Sequence, residues 1–174
     1  MRPLLTLLLL ALPLSAEKVP FDGGRFSVEF PEDWKKADPP QQNIKVHRES
    51  ADGEAAFSIS LMGIAKGHKA DLDATLESFV KNFKAGGMTV KGDPKGQAST
   101  IDGKKALVAT VPVEIKAQGE LMGITFFMVL VEAPERLIVM QATLSGSGTN
   151  DQREACRKII GSFEEKETEE KDEE

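Results

Sequence analysis

Residues 124–131, ITFFMVLV, admit few folds. With the period of two of an extended chain, Phe126, Met128 and Leu130 fall on one side and Phe127, Val129 and Val131 on the other. A strand that is apolar on both faces must be central in its sheet, with a covering layer on each side. The chain has enough material for such layers: 174 residues, 40% of them hydrophobic, suit one domain with a substantial core.

The remaining pattern supplies the neighbours of that strand. In GRFSVEFP, Phe26, Val28 and Phe30 alternate with Ser27 and Glu29, and Pro31 ends the run. The turn PEDW then folds Trp34 back to close one end of the core. NIKVHRES and AAFSISLMG read as further strands, with Phe57, Ile59 and Leu61 sharing a face. Asp71 caps a helix in which Leu72, Leu76, Phe79, Val80 and Phe83 recur at helical spacing, and Gly86-Gly87 stops it. Strands return at TVKG, at QASTI and KKALVATVPVEIK on either side of an Asp-Gly hairpin turn, and at RLIVMQATLS. Pro112 lacks an N–H, so its strand should lie at an edge or carry a bulge. A last helix starts at TNDQ, where Thr149 and Gln152 have capping-box spacing, and runs to about Phe163. This order predicts an α+β fold: an α/β/α sandwich with a central, mostly antiparallel twisted sheet of about six or seven strands and helices on both faces.

Both ends of the chain stand apart from this domain. Residues 1–16 place Arg2 before a leucine-rich run and finish on Ser15-Ala16, the pattern of a signal peptide cleaved before Glu17. The apolar stretch 4–14 is shorter than the roughly 20 residues of a spanning helix, so no transmembrane anchor is expected in the mature form. Residues 164–174 carry eight acids and two lysines, which equals the whole net charge of −6. Such a run is expected to be a disordered, solvated tail. The division is therefore 1–16 signal peptide, 17–163 domain and 164–174 tail. The nearly neutral body, without a basic patch interleaved with aromatics, argues against nucleic acid as a partner.

Chemistry-bearing residues are sparse. The single cysteine, Cys156, leaves no intramolecular disulfide and falls on the apolar face of the last helix with Ile159, Ile160 and Phe163. His47 and Glu49 lie two apart on a strand, so both point to one face and offer two metal ligands, short of the three or four of a specific site. His68 precedes the first helix without a companion nucleophile. SGSGTN, residues 145–150, is a glycine-rich helix entry lacking the lysine of a phosphate-binding loop. The internal methionines include core members of the strand pattern. No cofactor and no catalytic constellation is expected from these residues.

The segments GGRFSVEFPEDWKKA, IDGKKALVAT, GITFFMVLVEAPERLIVMQATLS and the closing IIGSF, in this order and spacing, resemble the PsbP-like superfamily. That superfamily includes the photosystem accessory protein PsbP, DcrB-type envelope proteins and a Ran-binding import factor. The resemblance makes Phe26, Val28, Phe30, Pro31 and Trp34 fold-defining residues. It implies an exported, non-enzymatic accessory protein whose partner is an envelope or secreted protein. The alternative is a carrier of a small apolar ligand lined by Leu76, Phe79, Phe83, Phe126 and Met128; an exported hydrolase is the third reading.

Overall fold

The computed structural model describes residues 16–117 and 119–166. Among them the chain runs β1 (Ala16–Phe21), a single 3-10 turn at Asp22–Gly24, β2 (Phe26–Pro31), β3 (Lys35–Lys36), β4 (Ile44–Glu49) and β5 (Ala55–Gly63). Helix α1 (Leu72–Ala85) follows, then β6 (Thr89–Val90), β7 (Gln97–Ile101), β8 (Lys104–Ala117), β9 (Glu120–Ala133) and β10 (Arg136–Ser145). Helix α2 (Asn150–Gly161) and β11 (Glu164–Glu165) complete the order. The fold is α+β, with antiparallel pairing throughout its ladders.

The strands form two sheets where the sequence pattern suggested one. The large sheet has eight strands, ordered β3-β4-β5-β10-β9-β8-β6 with β7 also on β8. β9 sits between β8 and β10, as its two apolar faces require. β2 belongs instead to a three-stranded sheet, β1-β2-β11. Both its edges are occupied there, while Phe26, Val28 and Phe30 pack into a core shared with Phe57, Ile59, Ile138, Met140 and the α2 residues Cys156, Ile159 and Ile160. Pro31 is half-buried at the end of β2, and Trp34 is buried 6.1 Å from the Phe30 ring.

Alternation along the central strands divides the core in two. Val129, Val131, Ile138 and Met140 belong to the cluster just described. Their neighbours Met128, Leu130, Leu137 and Val139 join Leu107, Val111 and Val113 in a second cluster with Leu72 and Leu76 of α1. Each fully buried large side chain contributes roughly 1.5–3 kcal/mol, so a one-residue register slip would cost many kcal/mol by exchanging the faces.

Two local expectations meet their physical cause. The β7–β8 turn puts Asp102 at φ 48° and Gly103 at φ 69°, the double left-handed geometry of a two-residue hairpin. β8 pairs with β9 along its length, but on its outer side β7 reaches only residues 104–108 and β6 only 113–114. Pro112 falls beside that gap, and its carbonyl accepts from the Lys91 N–H at 2.8 Å. The missing N–H therefore faces the broken outer edge, where no ladder bond is lost.

Two expectations need correction. Ser27, on the polar side of the β2 alternation, is buried: β11 pairs beside it at Glu164, and its hydroxyl donates to Glu164 Oε1 at 3.0 Å. The acidic tail does not begin at Glu164: Glu164 and Glu165 form β11 on β2. Glu165 lies 2.7 Å from Arg25 Nε and 3.1 Å from Lys104 Nζ, and its backbone N–H donates to Asp102 Oδ2 at 3.0 Å. Lys18 pairs with Glu164. Partners so remote in sequence turn a solvated-looking run into a strand. The tail residues 167–174 and the signal-peptide residues 1–15 lie outside the described residues.

Candidate functional site

Helix α1 is anchored at its start. Asp71 accepts from the Ala74 N–H at 3.0 Å, and Leu72 and Leu76 are buried against the sheet. One and two turns later Phe79 and Phe83 are only half-buried. The reason lies in the sheet beneath. On this face β10 passes from Val139 to Gln141 and Thr143, and β5 offers Ser58 and Ser60. A helix gains nothing by burying its apolar stripe on hydroxyls and amides that would lose water. The later half of α1 therefore leaves a cleft.

The cleft has a volume of about 590 Å³. One wall is apolar, with Phe79, Phe83, Met88, Phe126 and Val139; the other is polar, with His47, Ser58, Ser60, Gln141 and Thr143. Phe83 and Phe126 stack with centroids 4.5 Å apart. A further hollow of about 520 Å³ runs toward the start of α1, lined by Met62, Asp71, Thr75 and Ser78. Gln41, Asn43, Phe79 and Asn82 line both, so the two form one groove along the helix. Its rim is exposed at Gln41, Asn43 and Asn82.

This groove unites two sets of residues that the sequence left separate. His47 and Glu49 stand in it beside Phe79, Phe83 and Phe126. Leu76 and Met128 belong to the packed core behind and do not line it. His47 shares a 2.8 Å hydrogen bond between Nδ1 and Ser58 Oγ, and its Nε2 lies 3.6 Å from Glu49 Oε1. No group of three His, Cys, Asp or Glu residues placed to hold a metal occurs among the described residues.

Ser58, His47 and Glu49 thus line up as hydroxyl, imidazole and carboxylate. Acyl transfer also needs donors aimed at a developing oxyanion. β5 is paired on both sides, with His47 and Gln141 opposite Ser58, so the backbone N–H groups here are committed to ladders. The row presents hydrogen-bonding groups to the groove, as do the side-chain amides of Gln141 and Asn82.

The overall path of the chain matches solved structures. The cyanobacterial PsbP (CyanoP) of Synechocystis sp. PCC 6803 superposes with a TM-score of 0.65 at 11% identity, over 90% of this chain and 95% of that one. The fold is PsbP-like. A protein of Bacteroides thetaiotaomicron VPI-5482 gives a TM-score of 0.56 at 13% identity, over 86% of this chain and 48% of the other. No family model and no curated protein matches the chain by sequence.

Within the PsbP-like frame the other candidates fall elsewhere. His68 is exposed in the turn before α1, held by its N–H to Ala65 O at 2.9 Å. The 145–150 loop is stitched to β9: Gly146 donates to Gly123 O, and Thr125 Oγ1 donates to Gly146 O at 2.6 Å. Thr149 and Gln152 then form the capping box of α2. Burial pushes the Cys156 thiol up to about 11, which leaves it protonated and inert. Apart from His47 and Glu49, the groove's polar residues escaped sequence reasoning, although one signal was available: Ser58-x-Ser60 and Gln141-x-Thr143 interrupt the face opposite the apolar rows Phe57–Ile59–Leu61 and Ile138–Met140–Ala142.

Proposed function

We propose that this chain is an exported, non-enzymatic accessory protein of the cell envelope that acts by protein–protein contact, gripping a partner's segment in the groove along α1. The observation that carries the reading is the pairing of an aromatic wall with a hydrogen-bonding wall in a groove that follows the helix. An extended segment satisfies both walls at once: its apolar side chains meet Phe79 and Phe83, and its amides meet Ser60, Gln141 and Asn43. A carrier of a small apolar ligand needs its cargo enclosed on most sides, whereas here Gln41, Asn43 and Asn82 leave the groove open along its rim.

On this reading residues 1–16 are removed on export, and the mature chain begins at Glu17, whose carboxylate pairs with Arg48 at 2.7 Å. No helix among the described residues is long and apolar enough to cross a membrane. On the same reading the two helices cover opposite faces of the large sheet, a view supported by alternate residues of β10 belonging to two core clusters, one containing α2 residues and the other α1 residues. The PsbP-like resemblance supports an accessory role at the level of fold.

Native mass spectrometry on protein recovered from its host's exported fraction tests this, comparing the wild type with Asn82→Trp, which fills the groove from an exposed rim position. A partner protein retained by the wild type and lost from the variant is the expected result. A small mass lost on denaturation that is present in the wild type and absent from Asn82→Trp would replace this reading by the carrier. Bare monomer in both samples would overturn it.

A further inference from the structure

The sheet carries a second cleft, beside α2, which the groove along α1 does not explain. Strand register builds its floor in two rows: Leu144–Thr125–Pro112 and Ala142–Phe127–Thr110, each running across β10, β9 and β8. Helix α2 covers Leu144 and Ala142, which are buried, but leaves Phe127 half-covered and Thr110 and Pro112 exposed. The resulting cavity, about 400 Å³, is walled by Phe127, Leu144, Pro112 and the buried Cys156. That volume falls within the range of small-ligand sites.

Two arginines stand on its helical wall. Arg153 and Arg157 are four residues apart on α2, so they project from one side of the helix, and both line the cavity. Arg153 Nη2 donates to the Asn150 side-chain oxygen at 3.1 Å, a neutral partner. Among the described residues no carboxylate forms an ion pair with either arginine. The carboxylate between them in sequence, Glu154, is engaged with Lys158 at 3.6 Å. Two planar five-donor groups over an apolar hollow fit an anionic head attached to an apolar body.

We propose that this cleft binds a small anionic amphiphile, with an alkyl or aryl body against Phe127, Leu144 and Pro112 and a carboxylate or sulfate head between Arg153 and Arg157. The inference is independent of the groove along α1. Thr110, on the rim, offers its hydroxyl to the same head. The raised Cys156 thiol accords with the apolar character of the inner wall.

Titration of the full-length mature protein with decanoate, decyl sulfate and decanol, below their self-association limits and followed by amide chemical shifts, tests the proposal. Saturable decanoate binding with shifts at Phe127 and Leu144, and not at Phe79 or Ile44, is expected. Charge-assisted hydrogen bonds set the size of the head's contribution, so Arg157→Gln should weaken decanoate by about tenfold or more and leave decanol unchanged. Thr110→Trp, which fills the cleft from an exposed position, should abolish both. Failure of decanoate to bind, equal affinity for decanol, indifference to the arginine substitution, or shifts confined to the α1 groove would each overturn the proposal.

Discussion

Phe83 of α1 lies over Phe126 of β9 with ring planes 19° from parallel and centroids 4.5 Å apart. This stack joins the later half of the helix to the sheet and forms one wall of the groove. Phe83→Ala should destabilise the protein by about 2–3 kcal/mol, less than a fully buried phenylalanine because Phe83 is half-exposed. Urea denaturation would show it as a lower midpoint with an unchanged slope.

The β11 ion cluster predicts a pH dependence with a defined sign. The backbone N–H of Glu165, and then Lys104, hold the Asp102 carboxyl below its usual range. A depressed carboxylate contributes stability above the unfolded value, about pH 4, and loses it as pH falls through the folded value. Burial opposes the charge of Lys104, but its bonds to Asp102 and Glu165 outweigh this and raise it. That contribution is complete below about pH 10.4 and is lost as pH rises through the folded value. Asp102→Asn should therefore flatten the acid limb of a stability–pH curve. Its Asp102 carboxylate is 36% exposed, which limits the loss at neutral pH to under about 1 kcal/mol.

Cys156 should resist alkylation at pH 8 in the native protein and react fully once unfolded, because its thiol is buried and pushed up to about 11. Mass spectrometry after iodoacetamide treatment reads this directly. Rapid native labelling would show that α2 opens away from the core.

The α2 capping box joins Gln152 N–H to Thr149 Oγ1 at 3.2 Å and Thr149 N–H to Gln152 Oε1 at 2.8 Å. Thr149→Ala removes the first of these and should cost about 1 kcal/mol. The loss should appear in global stability, because Cys156, Ile159 and Ile160 tie α2 to the core.

Periodic signals carried much of the architecture. The two-faced run 124–131 marked β9 as central, Asp-Gly at 102–103 marked the β7–β8 turn, and Asp71 and Thr149 marked both helix starts. These are near-neighbour effects: a turn, a cap or an alternating face is decided within a few residues. The aromatic residues of α1 were also recognisable as one stripe, though not which of them would be covered. Leu76 is sealed into the core while Phe79 and Phe83 border the groove, because the strands beneath change from apolar to polar along the helix.

Both helices and the longer strands from β2 onward were thus legible in residue spacing, since backbone geometry turns spacing into direction, whereas β1, β3 and β11 carry no such period. That β2 leaves the main sheet, that Glu165 joins Arg25 and Lys104, and that His47 meets Phe83 across one groove emerge from the assembled chain alone. These relations unite residues tens to more than a hundred positions apart, and no local period encodes which distant faces will meet. They follow from strand order and from the cost of covering polar faces, both of which belong to the assembled chain.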